Sequence, residues 1–241
     1  MIEQIHNQEP DKGYRRIRDD LERFHQTPVS DKRVLRICRA KGIKSTIKYS
    51  NHGCTRQASN PQYLAANILR REFYAGKPNE KWLTDVTEFK YYIGAEKHKL
   101  YLSAILDLYD RRIVSFVIRD TNDNALVFET FNKAVAANPE AHPLFHSDRG
   151  FQYTNRTFHA KLEQAGMIQS MSRVGKCIDN GPMEGFWGIL KRERYYGKRF
   201  TSREALVTMI EDYIFYYNTR RLQRGLGVLT PFEKHEMYFA A

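Results

Sequence analysis

The sequence predicts an α/β protein, in which a mixed five-stranded sheet with helices on both faces follows a small helical domain. Three runs rich in β-branched and aromatic residues, with turn residues between them, predict an antiparallel meander at Trp82–Ile93, His98–Leu108 and Arg111–Arg119. Helices and two further short strands alternate after this meander, which gives the order βββαβαβα. The third observation is that three acidic residues lie on separate elements of this order.

The remaining elements of the larger domain follow from the spacing of apolar residues. Helical spacing predicts helices at Asn122–Asn138, Thr157–Ala165 and Ser202–Thr219. Short apolar segments at Pro143–His146 and Ile168–Met171 predict the fourth and fifth strands. Together with the meander, these segments complete a mixed sheet with helices available for both of its faces.

The first part of the chain predicts a small helical module. We expect residues 1–12 to be frayed, and we expect helices at Gly13–Phe24 and Asp31–Lys41, the second capped by Ser30. Arginines of the second helix should face outward. Two short helices around a break resemble half of a helix-turn-helix, so residues 1–43 are interpreted as a DNA-binding module. The alternative is a helical hairpin with a solvated basic face.

Residues 44–79 are interpreted as a linker that contains one helix, at Pro61–Tyr74, and residues 80–241 as the catalytic domain with its C-terminal helix. The linker also holds His52 and Cys54. No second pair of metal ligands follows them, so a zinc site is not expected there.

Composition and charge limit the classes of function. The 241 residues carry a net charge of +11, and the excess lies in residues 1–80 and 151–241, whereas residues 81–150 hold 9 basic and 10 acidic side chains. A near-neutral centre between basic arms suits a metal site that is held against DNA. No apolar run is long enough for a membrane span, no signal peptide is evident, and the 3 cysteines do not form a disulfide framework. We expect a cytoplasmic protein.

The three acids are Asp85, Asp148 and Glu184. Asp85 lies in the first strand, Asp148 ends the fourth strand just before Gly150, and Glu184 begins a helix that continues through Phe186–Arg194. Taken singly, Asp148 is typical of a turn and Glu184 is typical of a first helical turn. Taken together, the three acids predict one metal site that is assembled from three elements.

The residue types of this site favour a hard cation. Mg²⁺ prefers oxygen ligands and usually takes one or two carboxylates, so three acids without cysteines favour Mg²⁺ or Mn²⁺ over Zn²⁺. Phosphoryl transfer is served by two such ions about 3.5–4 Å apart. We therefore expect two ions at Asp85, Asp148 and Glu184.

Basic residues around the acids are candidates for DNA contacts. The candidates are Lys191, Arg149, Arg173, Lys176, Arg192, Arg220 and Arg221. Lys191 shares a helix face with Glu184 and is expected to meet a phosphate, the alternative being a solvated helix residue. The glycines and basic residues of segment 173–181 predict a mobile loop that becomes ordered when DNA binds. The arginines after the last long helix are either a phosphate clamp or a favourable helix terminus.

Three further residues near the acids are assigned supporting roles. His146 and Asn180 are expected to orient a metal ligand or a water molecule. Trp187 either packs in the core or stacks on a base.

Four sequence motifs together resemble a known superfamily. They are Trp82-x-Thr-Asp85-x-Thr87, His146-Ser-Asp148-x-Gly-x-Gln-Tyr153, Asp179-Asn180-x-x-x-Glu184 with Lys191 after it, and Tyr216-Tyr217-Asn218-x-x-Arg221 with Leu226-Gly227-x-x-Thr230-Pro231. Their order, and the 35 residues between Asp148 and Glu184, are similar to the DDE transposase/integrase superfamily, closest to the OrfB product of insertion sequences of the IS-three group. The resemblance covers nearly the whole chain from Gly13 onward.

The resemblance implies an RNase H-like fold, with Asp85, Asp148 and Glu184 as the metal-binding triad. It also implies that water or a DNA 3′-hydroxyl attacks a phosphodiester, first to nick an element end and then to join it. Double-stranded DNA, further copies of this chain and the upstream-frame product OrfA, bound or fused, are the expected partners. The alternatives are a nuclease that cuts without joining and a non-catalytic DNA-binding remnant of a mobile element.

Overall fold

The structure, a computed structural model, describes residues 1–47 and 61–240. The helices are α1 Ile2–Gln8, α2 Tyr14–His25, α3 Asp31–Ala40, α4 Asn124–Ala137, α5 Arg156–Gln164, α6 Gly181–Leu190, α7 Arg203–Thr219 and α8 Pro231–Phe239. The strands are β1 Lys81–Ile93, β2 Glu96–Asp107, β3 Ile113–Arg119, β4 Leu144–Ser147 and β5 Ile168–Met171. Among the described residues, no helix is both long and apolar enough to cross a bilayer.

The five strands form one mixed sheet in the order β3-β2-β1-β4-β5. β1, β2 and β3 pair in antiparallel fashion, which confirms the predicted meander. β4 runs parallel to β1, and β5 runs parallel to β4. The predicted mixed five-stranded sheet is therefore confirmed, with element ends within a few residues of those expected.

Each face of the sheet is covered by its own apolar core. On one face, Leu83 and Phe89 of β1 pack with side chains of α6 and α7. On the other face, Trp82 of β1 packs with aromatic residues of α4, β4 and α5, among them Phe131 and Phe158. Because successive side chains of a strand point to opposite faces, odd-numbered residues of β1 in this stretch face α6 and α7. Asp85 belongs to that set.

The N-terminal module is a three-helix unit rather than a helical pair with a frayed end. The expectation that residues 1–12 lack structure is wrong, because they contain α1. Ile5 of α1 is buried with Ile17, Leu21 and Val34 of α2 and α3. Two short helices alone offer little apolar surface, and the added helix enlarges this small core. Ser30 caps α3 by accepting the Arg33 amide, as predicted.

The helix predicted at Pro61–Tyr74 is wrong, because this segment is extended and ends in a turn. Part of its backbone bonds to the strand at the sheet edge rather than forming helical hydrogen bonds. The Met171 amide donates to the Ala66 carbonyl at 3.2 Å, and the Leu69 amide donates to the Ser170 hydroxyl at 3.1 Å. Tertiary pairing beside β5 thus overrides the local helical spacing. Residues 48–60, with His52 and Cys54, lie outside the described ranges.

A buried carboxylate joins the N-terminal module to the larger domain. After α6 the chain makes a π-helical turn, Lys191–Tyr195, in which Glu193 points inward. Arg221 Nη2 donates to Glu193 Oε1 at 2.8 Å, Arg16 Nη1 donates to the same oxygen at 2.9 Å, and the Tyr213 hydroxyl donates to Oε2 at 2.9 Å. Burial alone would raise the pKa of Glu193, yet the nearby arginine charges hold it below its usual value.

Further ion pairs extend this contact along the last helices. Arg224 donates to Asp19 of α2 and to Asp31 of α3, at 3.0 and 2.8 Å. Arg23 of α2 donates to Glu233 of α8 at 2.7 Å. The module is therefore held on the C-terminal helices mainly through charged groups rather than through a shared apolar core.

Replacing Glu193 with alanine should lower the free energy of unfolding by about 3–5 kcal/mol, because it leaves the largely buried Arg221 without its counter-charge and leaves Arg16 with Asp11 alone. Urea unfolding followed by circular dichroism measures this. The matched control is Glu129→Ala, which removes an exposed carboxylate paired with Arg119 and Lys133 and should cost less than about 1 kcal/mol. Equal losses in the two variants would contradict a buried network at Glu193.

Candidate active site

The register of two parallel strands brings Asp85 and Asp148 together. Leu83 of β1 pairs with His146 of β4, and the two aspartates each follow two residues later. Neighbouring strands lie about 4.8 Å apart, so residues at equal offsets start side by side. β4 ends at Ser147, and Asp148 therefore stands at the point where the ladder stops.

A tight turn fixes the carboxylate of Asp148. The Gly150 amide donates to Asp148 Oδ1 at 2.8 Å. A Cβ atom at position 150 would come within 3.0 Å of the same oxygen, closer than side chains normally approach. A side chain at position 150 would therefore crowd this carboxylate, which gives a physical reason for the Asp-x-Gly pattern in the sequence.

Helix α6 carries Glu184 and is attached to β1 by side-chain hydrogen bonds. The Trp187 indole N–H donates to Asp85 Oδ2 at 3.0 Å, and Lys191 Nζ donates to Thr87 Oγ1 at 2.6 Å. Trp187 and Lys191 are one helical turn apart, and Asp85 and Thr87 are on one face of the strand. The two bonds therefore fix how α6, with Glu184 in its first turn, lies along β1.

All three acids line one cavity of about 160 Å³. Its other polar side chains are Arg149, Ser172, Arg173, Lys176 and Asn180. A smaller cavity of about 40 Å³ also has Asp85 and Asp148 in its lining, together with Glu88, Asn122, Gln152 and Phe151. The larger cavity is therefore lined by three acidic and three basic side chains, whereas the described residues that line the smaller one include three acids and no basic side chain.

Burial and neighbouring carboxylates raise the pKa values of the acids. Burial raises the pKa of Asp85 to about 8, with a further contribution from the charge of Asp148. Burial and the charge of Glu184 raise the pKa of Asp148, and partial burial raises that of Glu184. Two unit charges about 5 Å apart at an effective dielectric constant of 20 repel by about 3 kcal/mol. A cation between these carboxylates would remove that cost.

The donor atoms fit a hard divalent cation. The acids supply oxygen ligands, as Mg²⁺ and Mn²⁺ prefer. Asn180 lines the same cavity, and its amide Nδ2 donates to the Thr84 carbonyl at 3.0 Å. Its Oδ1 atom is buried and finds no hydrogen-bond partner in the described part of the chain, so it is available to a metal-bound water. In residues 1–47 and 61–240 no three acidic, histidine or cysteine side chains are already gathered at ligand distance.

The segment between β5 and α6 is anchored more firmly than the sequence predicts. Asp179 is fully buried, and Arg173 and Arg71 donate to it at 2.8 and 2.6 Å. Asn67 donates to it at 2.9 Å, and hydrogen bonds from Arg173 lower the pKa of Asp179. A 3₁₀ turn, Cys177–Asn180, follows. Asp179 thus binds Arg173 and also Asn67 and Arg71 of segment 61–74. We therefore expect only the exposed tip of the loop, residues 174–176, to be mobile.

The predicted DNA contacts differ in where they lie. Arg149 and Lys176 line the cavity that also holds the acids, and the Arg149 Nε–H donates to the Ser172 carbonyl at 2.8 Å. Arg220 is exposed beside Phe215.

Two of the other arginines interact mainly within the protein. Arg173 faces the cavity but also pairs with Asp179. Arg192 lies over Gly188, where a Cβ atom would come within 2.8 Å of its Nη1.

The assignment of Arg221 as a phosphate contact is wrong. Its side chain is 12% exposed, and its guanidinium is bound to Glu193. Burial alone would lower the pKa of Arg221, but the charge of Glu193 raises it above its ordinary value. The residue joins elements inside the protein, so the proposed clamp after α7 is reduced to Arg220.

His146 does not orient the acids directly, which corrects its assigned role. Its ring nitrogens lie 2.9 and 3.2 Å from the hydroxyls of Ser170 and Ser172. Burial lowers the pKa of His146 to about 4, so the ring is neutral and connects β4 to β5. It supports the strand that ends at Asp148 without touching the cavity.

The sequence reasoning missed two contacts that shape the site. Trp187 was weighed as a core residue or a base-stacking residue, but it is buried and bonded to Asp85. Its spacing of three residues from Glu184 was the available signal. Arg71 was placed in a helix, so its bond to Asp179 could not be anticipated.

Comparisons with known proteins agree with this fold. Residues 75–177 and 184–239 match models of an integrase core domain, and residues 1–50 match an HTH-like domain. The fold and the site define an integrase-core protein of RNase H-like architecture. The chain belongs to the transposase/integrase superfamily, among the transposases of insertion sequences, which confirms the resemblance drawn from its motifs.

The similar proteins include bacterial transposases and viral integrases. Over 222 residues the chain is 37% identical to the putative transposase InsK of IS150 from Escherichia coli, covering 92% of this chain and 76% of that protein. Over 203 residues it is 40% identical to a transposase-like protein of Haemophilus influenzae, covering 84% and 91%.

Among solved structures, the HTLV-2 integrase catalytic core in complex with magnesium aligns with a TM-score of 0.52 at 17% identity, over 67% of this chain and 99% of that one. A simian T-cell lymphotropic virus intasome chain aligns with a TM-score of 0.56 at 17% identity, over 98% and 74%. These two likenesses show the fold.

Replacing Asp85 with asparagine should stabilise the metal-free protein. Because the folded-state pKa of Asp85 is raised from 3.8 to about 8, its ionisation costs stability as pH rises through that interval, and asparagine removes the cost while still accepting from Trp187. We expect the free energy of unfolding at pH 8 to rise by at least about 1 kcal/mol, the worth of one pKa unit. Urea unfolding in EDTA from pH 5 to pH 8 measures it.

Asp123→Asn provides the control. Asp123 caps α4 by accepting the Leu126 amide at 2.9 Å, and this bond lowers its pKa. Its replacement should therefore not stabilise the protein at pH 8. A gain in Asp123→Asn equal to that in Asp85→Asn would show that the effect does not come from the crowded acids.

Proposed function

We propose that this protein is a transposase that cuts DNA at the ends of an insertion sequence and joins those ends to new DNA, with Asp85, Asp148 and Glu184 holding two Mg²⁺ or Mn²⁺ ions. The observation that carries the proposal is that three acids from separate elements line one cavity beside basic side chains. Relatives at 37% and 40% identity are described as transposases or transposase-like, and one viral neighbour of the same fold was solved with magnesium.

The chain's own residues hold and position the reacting groups. Asp85 and Asp148 would share ligands at the end of the parallel ladder, and Glu184 would complete the set from α6. Divalent ions at this position supply charge neutralisation to phosphoryl transfer and lower the pKa of the attacking hydroxyl. The protein's part would be to hold the acids around one cavity, and the Gly150 turn and the bonds to β1 from Trp187 and Lys191 support this role.

Basic side chains around the cavity would hold the DNA backbone. Arg149, Arg173 and Lys176 line the cavity that also holds the acids. Lys191 remains a proposed phosphate contact, but its ammonium already bonds to Thr87 and lies 5.0 Å from the centre of the Phe89 ring. It would therefore contact a phosphate while still fixing α6, and its loss would affect both roles.

The N-terminal module offers a second, separate DNA surface. Lys32, Arg33, Arg36 and Arg39 are exposed on one side of α3. Phosphate contacts of this kind orient a protein on DNA and need not read bases. Binding of element-end DNA by the module, assembly of several copies on DNA, and association or fusion with an upstream-frame product belong to the same proposal. The intasome neighbour is one observation that favours assembly on DNA.

Cutting and joining should both depend on the acids. With a labelled element-end duplex, a target plasmid and Mg²⁺, Asp148→Asn and Glu184→Gln should reduce nicking and strand transfer at least about 1,000-fold, because the metal ligands are lost while the fold is kept. DNA affinity, measured by fluorescence anisotropy, should change less than about threefold. The control is Glu163→Gln, an exposed residue of α5, which should behave as the wild-type protein.

The same assay separates the alternatives. Nicking without joined products would favour a nuclease. Binding without any metal-dependent product would favour a non-catalytic remnant. Full activity in the Asp148→Asn or Glu184→Gln protein would overturn the assignment of the acids.

A further inference from the structure

One contact beside the acids is not accounted for by the three carboxylates themselves. The Trp187 indole N–H lies 3.0 Å from Asp85 Oδ2. Trp187 is 6% exposed, and its ring packs against Phe186 on α6. Its six-atom ring and its pyrrole edge therefore serve different purposes: the apolar part fills the core, while the N–H is directed at a carboxylate.

The bond is specific to the cavity side of the sheet. Trp82, the other tryptophan of the chain, lies on β1 only three residues before Asp85, but it packs on the opposite face, where its N–H donates to Asn79 at 3.1 Å. The two indoles therefore sit on either side of one strand. Of these two indoles, only that of Trp187 donates to an acid of the site.

Because of where Trp187 lies, its bond to Asp85 also fixes α6 relative to β1. Trp187 follows Glu184 by three residues, so both side chains lie on neighbouring positions of one helix face. A bond from Trp187 to Asp85 therefore sets the distance between the helix that carries one acid and the strand that carries another. It also restricts rotation of the Asp85 carboxylate about its last bond, which leaves the remaining lone pairs in a fixed orientation.

We propose that Trp187 is a positioning residue that orients the Asp85 carboxylate for divalent-cation binding, and that its indole reports the occupancy of that site. The inference rests on the proposed function, because it assumes that the three acids bind a cation. Donors to ligand carboxylates and histidines typically change metal affinity 10–100-fold when they are removed. The loss of this single N–H should act in the same way.

Trp187→Phe keeps an aromatic ring and removes the donor. In the full-length protein, stabilisation against heat is followed as Mg²⁺ or Mn²⁺ is added. We expect the cation concentration for half-maximal stabilisation to rise at least about tenfold in Trp187→Phe. Phe186→Leu is the matched control, because it disturbs packing on the same helix, against Tyr217, without touching an acid. It should lower the melting temperature but leave the cation midpoint unchanged.

Intrinsic fluorescence gives a second readout that leaves Trp187 in place. Trp82→Phe leaves Trp187 as the single tryptophan, and Trp187→Phe leaves Trp82. Mn²⁺ should quench the emission of the Trp82→Phe protein with a saturable dependence and leave the Trp187→Phe protein nearly unchanged at the same concentrations. Absence of saturable quenching in the Trp82→Phe protein would overturn the proposal even if Trp187→Phe did not fold.

The two proposals fail in different ways. If Asp85→Asn responds to the cations as the wild-type protein does, the acids are not the cation site and the proposed function is wrong. If Asp85→Asn loses the response while Trp187→Phe keeps the wild-type midpoint, the acids bind the cation and the positioning role of Trp187 is wrong. A shifted midpoint in Phe186→Leu equal to that in Trp187→Phe would also overturn it, because general loosening of α6 would then explain the effect.

Discussion

The structure depends on one constraint: each of the strands β1 and β4 carries a carboxylate just beyond the point where their parallel pairing ends. Asp85 and Asp148 follow the paired residues Leu83 and His146 by the same number of positions, so the backbone register alone brings them together. Burial raises the pKa values of both aspartates, with a further contribution from the charge of Asp148 at Asp85 and from the charge of Glu184 at Asp148. A fold selected for stability alone would replace such a pair with apolar groups. The surrounding hydrogen bonds instead keep the pair in place, as expected where a cation supplies the missing charge.

The second requirement is that Glu184 reaches the same cavity from a helix. Bonds to β1 from Trp187 of α6 and from Lys191, the first residue of the π-helical turn, set the position of that helix. The same turn contains Glu193, which binds Arg16 of the N-terminal module and Arg221 just after α7. The helix that carries the third acid is therefore fixed at one end by the strand and at the other by the N-terminal module.

The elements that were predicted well have strong local signals. Alternation and turn residues defined the meander, and capping residues such as Ser30 marked helix ends. The predictions failed where tertiary contacts override local preference: Pro61–Tyr74 has helical spacing but bonds to the sheet edge, and Arg221 has the composition of a DNA contact but neutralises a buried carboxylate. The three acids could be chosen from their motifs. Their position around one cavity follows from the strand register and from the bond between Trp187 and Asp85. Both are properties of the fold rather than of any local segment.

The most direct test of this account is a structure determined from crystals soaked in Mn²⁺, in which anomalous scattering locates the ion. The account predicts an anomalous peak bonded to carboxylate oxygens of both Asp85 and Asp148, at about the 2.1 Å expected for hard divalent cations of this size. In crystals of the Asp148→Asn protein the peak should be lost or greatly weakened. Full occupancy of Mn²⁺ elsewhere in the wild-type protein, with no peak between these two aspartates, would contradict the central claim that the strand register builds a cation site.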